Sequence, residues 1–196
     1  MLLKRGATRV VALDVGHGQI DWTLRNDPRV VVIEHFNARH LQPSDLPGPV
    51  DIVTIDVSFI SLRQILPVVP RVLRQRGDVV ALVKPQFEAG RSEIRKGVIR
   101  DTAIQARVVD EVSAAAREVG LTPVASTTSP ITGAKGNVEF LLHLRSCRRR
   151  DGARPGRHGT CRPSSVVFRA SRRRPFGGSH TMAEAPVKRF IWDLLL

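Results

Sequence analysis

At 196 residues and 42% hydrophobic composition, the chain is long enough for one α/β domain with a buried core and little more. Its formal charge of +13 is uneven: residues 146–196 hold twelve Lys/Arg against three Asp/Glu, whereas residues 1–145 hold nineteen against fifteen. Two cysteines, Cys147 and Cys161, exclude a disulfide framework, and no apolar run approaches the roughly 18 residues of a membrane span. With no signal-peptide stretch in MLLKRGATR, a soluble cytoplasmic protein is expected.

In chain order, the first β-branched run is residues 9–14 (RVVALD), followed by 29–34 (RVVVIE), 50–57 (VDIVTIDV) and 77–83 (GDVVALV). Each is bounded by Gly, Pro, Asp or Asn, as buried parallel strands usually are. Between the third and fourth runs, Leu62, Ile65, Leu66, Val69 and Leu73 share one helical face, and Pro67 and Pro70 make that helix, 61–74, irregular. Residues 101–119 form a cleaner helix with Ile104, Val108, Val112, Ala115 and Val119 on one face, stopped by Gly120. Two further strands are expected at 121–127 and 138–144. Strands alternating with helices predict a mostly parallel sheet with helices on both faces, over residues 1–145. Residues 146–196, rich in Arg, Gly, Pro and Ser without a sustained period, read as a basic, disordered tail.

Open α/β sheets bind ligands beyond the carboxyl ends of their strands, so the residues there are the candidates. Asp14 ends the first strand and suits the two hydroxyls of a nucleoside ribose, although a turn aspartate fits the same place. The pair Gly16 and Gly18 is not a dinucleotide motif, because the third glycine position falls on Asp21. His17 reads as an exposed loop histidine. Asp56 and Lys84 end neighbouring strands and can face each other, as a structural ion pair or as a proton-transfer pair. Glu139, placed inside an apolar strand, needs a partner, since an unpaired buried charge is costly. In such a set Lys84 acts as general base on a hydroxyl, Asp56 orients it and Glu139 positions substrate. Phe36, Phe59 and Phe87 lie near the same edge, where stacking on bases competes with core packing for at least two of them. Arg39, Arg91, Arg95, Lys96 and Arg100 can meet phosphates or form a solvated loop.

The strings DVGHGQIDWTLRNDPRVVVIEHFNARHL, DIVTIDVSFISL, LVKPQFEAGR, KGVIRD and GNVEFLLHLR resemble the TlyA (hemolysin A-like) family of FtsJ-like ribosomal RNA 2'-O-methyltransferases, over about residues 1–145. The resemblance implies a Rossmann-like class I methyltransferase sheet, S-adenosyl-L-methionine as cofactor, ribosomal RNA or ribosomal subunits as partner, and neither metal nor membrane. It assigns Asp56, Lys84 and Glu139 to the last three members of a Lys–Asp–Lys–Glu catalytic tetrad. Cofactor contacts fall on Asp14, Val15, Asn37, Ala38 and Asp56, and RNA contacts on Arg39, Arg91, Arg95 and Lys96.

Departures from the family pattern are equally specific. The family's RNA-binding N-terminal domain, its first tetrad lysine and a Gly-rich first strand resembling GASTGGF have no counterpart in this sequence. The expectation is an α/β sheet lacking its first, central strand. Weak cofactor binding and no measurable methyl transfer by this chain alone follow from that expectation. The alternative readings are a non-catalytic RNA-binding remnant driven by the arginine-rich tail and, following the family's older name, a membrane-active hemolysin.

Overall fold

The computed structural model describes residues 1–146. The proposed basic tail, both cysteines and the terminal FIWDLLL lie outside the described residues. The first two β-branched runs form β1 (Val10–Leu13) and, after a four-residue helix α1 (Trp22–Arg25), β2 (Val30–Ile33). The third forms β3 (Val50–Ile55). The predicted helix over 61–74 breaks into 3-10 turns at Leu62–Gln64 and Leu66–Val68 and a single turn α2 (Val69–Val72). Pro67 and Pro70 each sit at the start of a turn, where a missing N–H costs least, and prevent one continuous helix. The apolar face is nevertheless the predicted one, with Leu62, Ile65, Leu66, Val69 and Leu73 all buried.

Leu73 already belongs to β4 (Leu73–Val83), which starts four residues earlier than its apolar run because Leu73 pairs with Val50 before a bulge through the exposed Arg74–Arg76 stretch, where Arg76 has φ 63. A short helix α3 (Pro85–Glu88) follows, then α4 (Thr102–Glu118), β5 (Leu121–Thr128) and β6 (Phe140–Ser146). Asp101 caps α4 by accepting from the Ala103 N–H at 2.8 Å. Gly120, at φ 85, ends it. The buried stripe of α4 runs through Gln105, Val108, Val109, Val112, Ser113 and Ala116, so Ile104, Ala115 and Val119 sit at its margin. Small Ser113 and Ala116 let the helix approach the sheet closely, and Gln105 enters the core because its amide donates to the Ile99 carbonyl at 2.9 Å.

β3 and β4 are parallel, whereas β6 is antiparallel to both β4 and β5, in the order β3-β4-β6-β5. Because β4 and β5 are both antiparallel to β6, they run parallel to each other and to β3, so the sheet is mostly parallel as expected, with β6 its one reversed strand. The crossover through α4 carries the chain past one strand position, and the short link from β5 lets β6 return antiparallel into it. β1 pairs with β2 alone, in parallel, from Val10 opposite Val30 to Leu13 opposite Ile33. Among the described residues no ladder joins β1 to β3, so the Rossmann-like sheet lies in two pieces with an unpaired edge on each. The buried apolar core begins at Ile55, and β1 and β2 contribute no fully buried side chain to it.

One face of the four-stranded sheet, with Val79, Ala81, Val83, Leu142 and Leu144, packs against α4 and the 62–72 segment. Val80, Leu82, Leu141 and Ala125 form a smaller cluster on the other. Helices on both faces were the expectation; among the described residues the long helix and the 3-10 turns share the first face.

Candidate active site

Strand alternation sets the direction of the three candidate catalytic side chains. Asp56 follows Ile55, Lys84 follows Val83 and Glu139 precedes Phe140, and those three neighbours pack on the α4-covered face. All three candidates therefore belong to the opposite face. Register does the rest. Val83 pairs with Phe140 at the last rung of the antiparallel β4–β6 ladder, and Lys84 and Glu139 are the residues next beyond that rung on the two chain segments. Lys84 Nζ reaches Asp56 Oδ1 at 2.6 Å and donates to Ser58 Oγ at 3.1 Å. The lysine side chain is 13% exposed while the aspartate is 70% exposed, so the pair opens to solvent on the Asp56 side. Pro85 at the first position of α3 ends β4 and leaves Lys84 at its rim.

Glu139 lies just before β6, not inside it, and its backbone carbonyl still accepts from the Ser129 N–H at 2.8 Å. Its side chain is buried, and among the described residues its carboxylate has no hydrogen bond or ion pair. It rests against Gly133 instead, where a β-carbon would stand 2.0 Å from Oε1. Asn137 holds the same loop: its carbonyl accepts from the Gly133 N–H at 2.9 Å, and its buried amide bonds to Ile99, Gly97 and Ala134.

A second buried carboxylate, Glu88, joins the loop after β3 to α3. Oε1 accepts the Leu62 N–H at 2.7 Å, Oε2 accepts the Ser61 hydroxyl at 2.5 Å, and Arg63 approaches Oε2 at 3.7 Å while donating to the Glu88 carbonyl at 2.8 Å. The loops bearing Ser58 and Phe59 and those bearing Lys84 and Phe87 are thus clamped together. Sequence reading missed Ser58, Glu88, Gly133 and Asn137 as parts of the site. The residues Ser61 and Glu88, or Gly97 and Asn137, are too far apart in the chain for any local pattern to link them.

Asp14 makes the turn contact that its plainer reading anticipated, accepting the Gly16 N–H at 2.6 Å with Oδ1. Oδ2 has no partner among the described residues, so the carboxylate keeps one oxygen for a ligand hydroxyl. Val15 is 71% exposed beside it. Asn37 starts a 3-10 turn by accepting the Arg39 N–H at 3.1 Å, and Ala38 packs on the core. The loops after β1 and β2 are zipped by His35 N–H to the Gly16 carbonyl (3.2 Å) and Phe36 N–H to the Asp14 carbonyl (3.1 Å). The nearby open recess is lined by His17, Gly18, Gln19, Trp22 and Arg25, and none of the candidate cofactor residues lines it. His17 is an exposed loop residue that stacks on His35 at 4.9 Å and approaches Glu34 at 3.3 Å. Hydrogen bonding from Arg25 holds the Glu34 carboxyl below its usual range.

Of the candidate RNA contacts, Arg39 is steadied by Asn37 and by Gln64 at 3.2 Å, with no acid beside it. Arg91, Arg95, Lys96 and Arg100 are exposed and form no ion pair among the described residues. Phe59 is 91% exposed, at φ 63, and leans on Phe87 with ring centres 5.1 Å apart. Phe36 and Phe87 are half-buried and outside the fully buried core. Among the described residues no cluster of His, Cys, Asp or Glu is placed to hold a metal ion, and no helix is long and apolar enough to cross a membrane.

The family model for the FtsJ-like methyltransferases matches residues 1–146. Over 147 residues the chain is 49% identical to the 16S/23S rRNA (cytidine-2'-O)-methyltransferase TlyA of Mycobacterium tuberculosis, covering 74% of this chain and 55% of that protein. The chain thus spans about half the length of that relative. A solved structure from Streptococcus thermophilus, named a hemolysin, superposes with a TM-score of 0.73 at 46% identity, over 74% of this chain and 54% of the other. The 1,6-didemethyltoxoflavin-N1-methyltransferase of Burkholderia thailandensis, solved with S-adenosylhomocysteine, shares the fold alone: TM-score 0.52 at 17% identity, over 74% and 64% of the two chains. The chain belongs to the FtsJ-like methyltransferase family.

Proposed function

We propose that the chain contributes the proton-handling rim and the adenosine side of a methyltransferase that modifies ribose 2'-hydroxyls of ribosomal RNA, in the cytoplasmic compartment where ribosomes are made. The observation that carries this reading is Lys84 Nζ at 2.6 Å from Asp56 Oδ1, at the end of the β4–β6 ladder, with Glu139 the residue just beyond its last rung on the other chain segment. A general base must lie within hydrogen-bond reach of the proton it takes. In this reading Lys84 is the general base, taking the 2'-hydroxyl proton on Nζ. Asp56 and Ser58 aim that nitrogen, and Glu139 borders the ribose. Phe59, exposed and backed by Phe87, offers a stacking face for the target base.

S-adenosyl-L-methionine, when bound, supplies the methyl group. The residues present fit its adenosine half: the free oxygen of Asp14 for a ribose hydroxyl, with Val15, Asn37 and Ala38 flanking the base. Among the described residues nothing similar cradles its methionine half.

The experiment is methyl transfer from tritiated S-adenosyl-L-methionine to isolated ribosomal subunits, by the chain alone and by the chain fused behind the N-terminal portion of the Mycobacterium tuberculosis relative. The fusion is expected to label ribose 2'-oxygens, and Lys84→Ala to abolish the label. Label on a base, or full activity in Lys84→Ala, overturns the reading.

A further inference from the structure

Two turns outside the Asp56–Lys84–Glu139 set share one construction. Lys96 (φ 52) and Gly97 (φ 80) form the tip of a tight hairpin whose flanking residues, Arg95 and Val98, exchange backbone hydrogen bonds at 3.2 and 3.0 Å. Lys135 (φ 59) and Gly136 (φ 77) form the tip of the turn closed by the Gly133 N–H and the Asn137 carbonyl at 2.9 Å. Consecutive left-handed residues make turns of this mirror-image type, and lysine is an uncommon residue at φ > 0. Each turn therefore carries a lysine at its outermost point on a constrained backbone.

The two tips are also tied to each other. Asn137, 3% exposed, donates from Nδ2 to the Gly97 carbonyl at 3.0 Å and the Ala134 carbonyl at 3.0 Å, and accepts the Ile99 N–H at 3.2 Å. Lys135 Nζ lies 3.5 Å from the Lys96 carbonyl and 3.3 Å from where a β-carbon on Gly97 would stand. Two residues beyond Asn137 comes Glu139.

Basic residues outnumber acids around this pair of tips. Lys96 and Lys135 are exposed and, like Arg91, Arg95 and Arg100, have no ion pair among the described residues. Of the nearby acids, Glu93 is taken up by Arg107 at 2.6 Å and by the Gly90 N–H at 3.1 Å, Asp101 caps α4 through the Ala103 N–H at 2.8 Å, and Glu139 is buried against Gly133. Five unmatched cations beside the site select a polyanion, and the reaction proposed above, on which this inference rests, makes that polyanion RNA.

We propose that Lys96 and Lys135, held tip to tip by Asn137, clamp a backbone phosphate of the RNA beside the ribose that Glu139 borders. Lys135 is the direct contact the sequence reading did not single out. Asn137 is a positioning residue, acting through the two lysines.

The test is binding of a fluorescein-labelled ribosomal RNA hairpin to the full chain without cofactor, as a function of salt. Each lost phosphate contact flattens the plot of log K against log salt by about 0.7 in single-stranded RNA. Lys135→Gln is expected to flatten it by that amount, and Lys135→Arg to restore it. Arg71→Gln, an exposed change in α2, is expected to leave it unchanged. Asn137→Ala keeps both lysines and is expected to flatten the plot as Lys135→Gln does, a change a simple sum of charges does not produce. A Lys135→Gln slope equal to that of Arg71→Gln overturns the clamp. So does an Asn137→Ala protein that melts cooperatively and keeps the wild-type slope; if Asn137→Ala does not fold, Lys135→Gln decides alone. No turnover enters this measurement, so its failure leaves the transfer reaction standing, whereas base labelling in the transfer assay removes the reaction and leaves the slopes unaffected.

Discussion

Glu139 lies across the α-carbon of Gly133 so closely that an added β-carbon would stand 2.0 Å from Oε1 and 2.6 Å from Cδ. Gly133 itself has φ −74 and ψ −172, extended backbone open to any residue. Glycine is required there for space, unlike Gly97 and Gly136, where φ is positive. Gly133→Ala is therefore expected to displace the Glu139 carboxylate without breaking the loop. Overpacking of this kind costs about 1–3 kcal/mol. In the fusion protein, methyl transfer should fall by about two orders of magnitude, as positioning of the ribose is lost. Parallel melts and transfer assays on Gly133→Ala and Glu139→Gln check this; a fully active Gly133→Ala would remove Glu139 from the reaction.

The Glu88 clamp is a stability feature. Its buried carboxylate accepts one backbone N–H and one hydroxyl, and its removal leaves the Leu62 N–H buried without that acceptor. Hydrogen bonds to a charged group contribute about 1.5–3 kcal/mol each, and breaking a buried charged set costs about 3–5 kcal/mol. Glu88→Ala is expected to lower the urea unfolding free energy by about 3 kcal/mol. Glu88→Gln, which keeps an acceptor for the Leu62 N–H, is expected to lose less.

The β1–β2 pair should open before the rest. Its strands are half-buried throughout, whereas β4 and β6 hold fully buried Val79, Ala81, Val83, Leu142 and Leu144. A two-stranded ladder alone is marginal in water. Native-state hydrogen exchange is expected to show the amides of Val10–Leu13 and Val30–Ile33 exchanging well ahead of those in the β4–β6 ladder. Equal protection in both pieces would show that the two move as one cooperative unit.

Acid should loosen the turn into β2 specifically. Asp27 accepts from Arg29 Nε and the Arg29 N–H, both at 2.9 Å, and this bonding holds its carboxyl down at about 2 from a usual 3.8. A depressed folded-state value means that the contribution is present above the unfolded value and lost as pH falls from about 4 through about 2. Carboxyl carbon NMR of Asp27 should therefore titrate near pH 2. The difference in Val30 amide protection between wild type and Asp27→Asn should disappear over the same fall. A midpoint near 4 would show that the Arg29 contact is absent in solution.

How much of this was legible in the sequence varies with the range of the interaction. The six strands and α4 were readable because burying a β-branched run or a 3.6-residue apolar stripe leaves a local pattern, and the capping Asp101 and terminating Gly120 marked the helix ends. The break in the 61–74 helix was foreshadowed by Pro67 and Pro70, but the entry of Leu73 into β4 was not, since its side chain satisfies the core equally as helix or strand. Asp14, Asp56 and Lys84 stood out as polar residues ending apolar runs, and Glu139 as a carboxylate expected inside one, although it lies just before β6.

The residue types at the strand ends, and hence the chemistry available there, were determined by the sequence alone. The antiparallel return of β6, the register that pairs Val83 with Phe140, the space Gly133 leaves and the joining of two lysine turns by Asn137 were decided only by the tertiary structure. The physical reason is distance along the chain. Propensity and periodicity act over a few neighbouring residues, while a buried amide selects a partner 40 positions away and a strand register joins residues 57 to 67 positions apart, on geometry that exists once the sheet has formed.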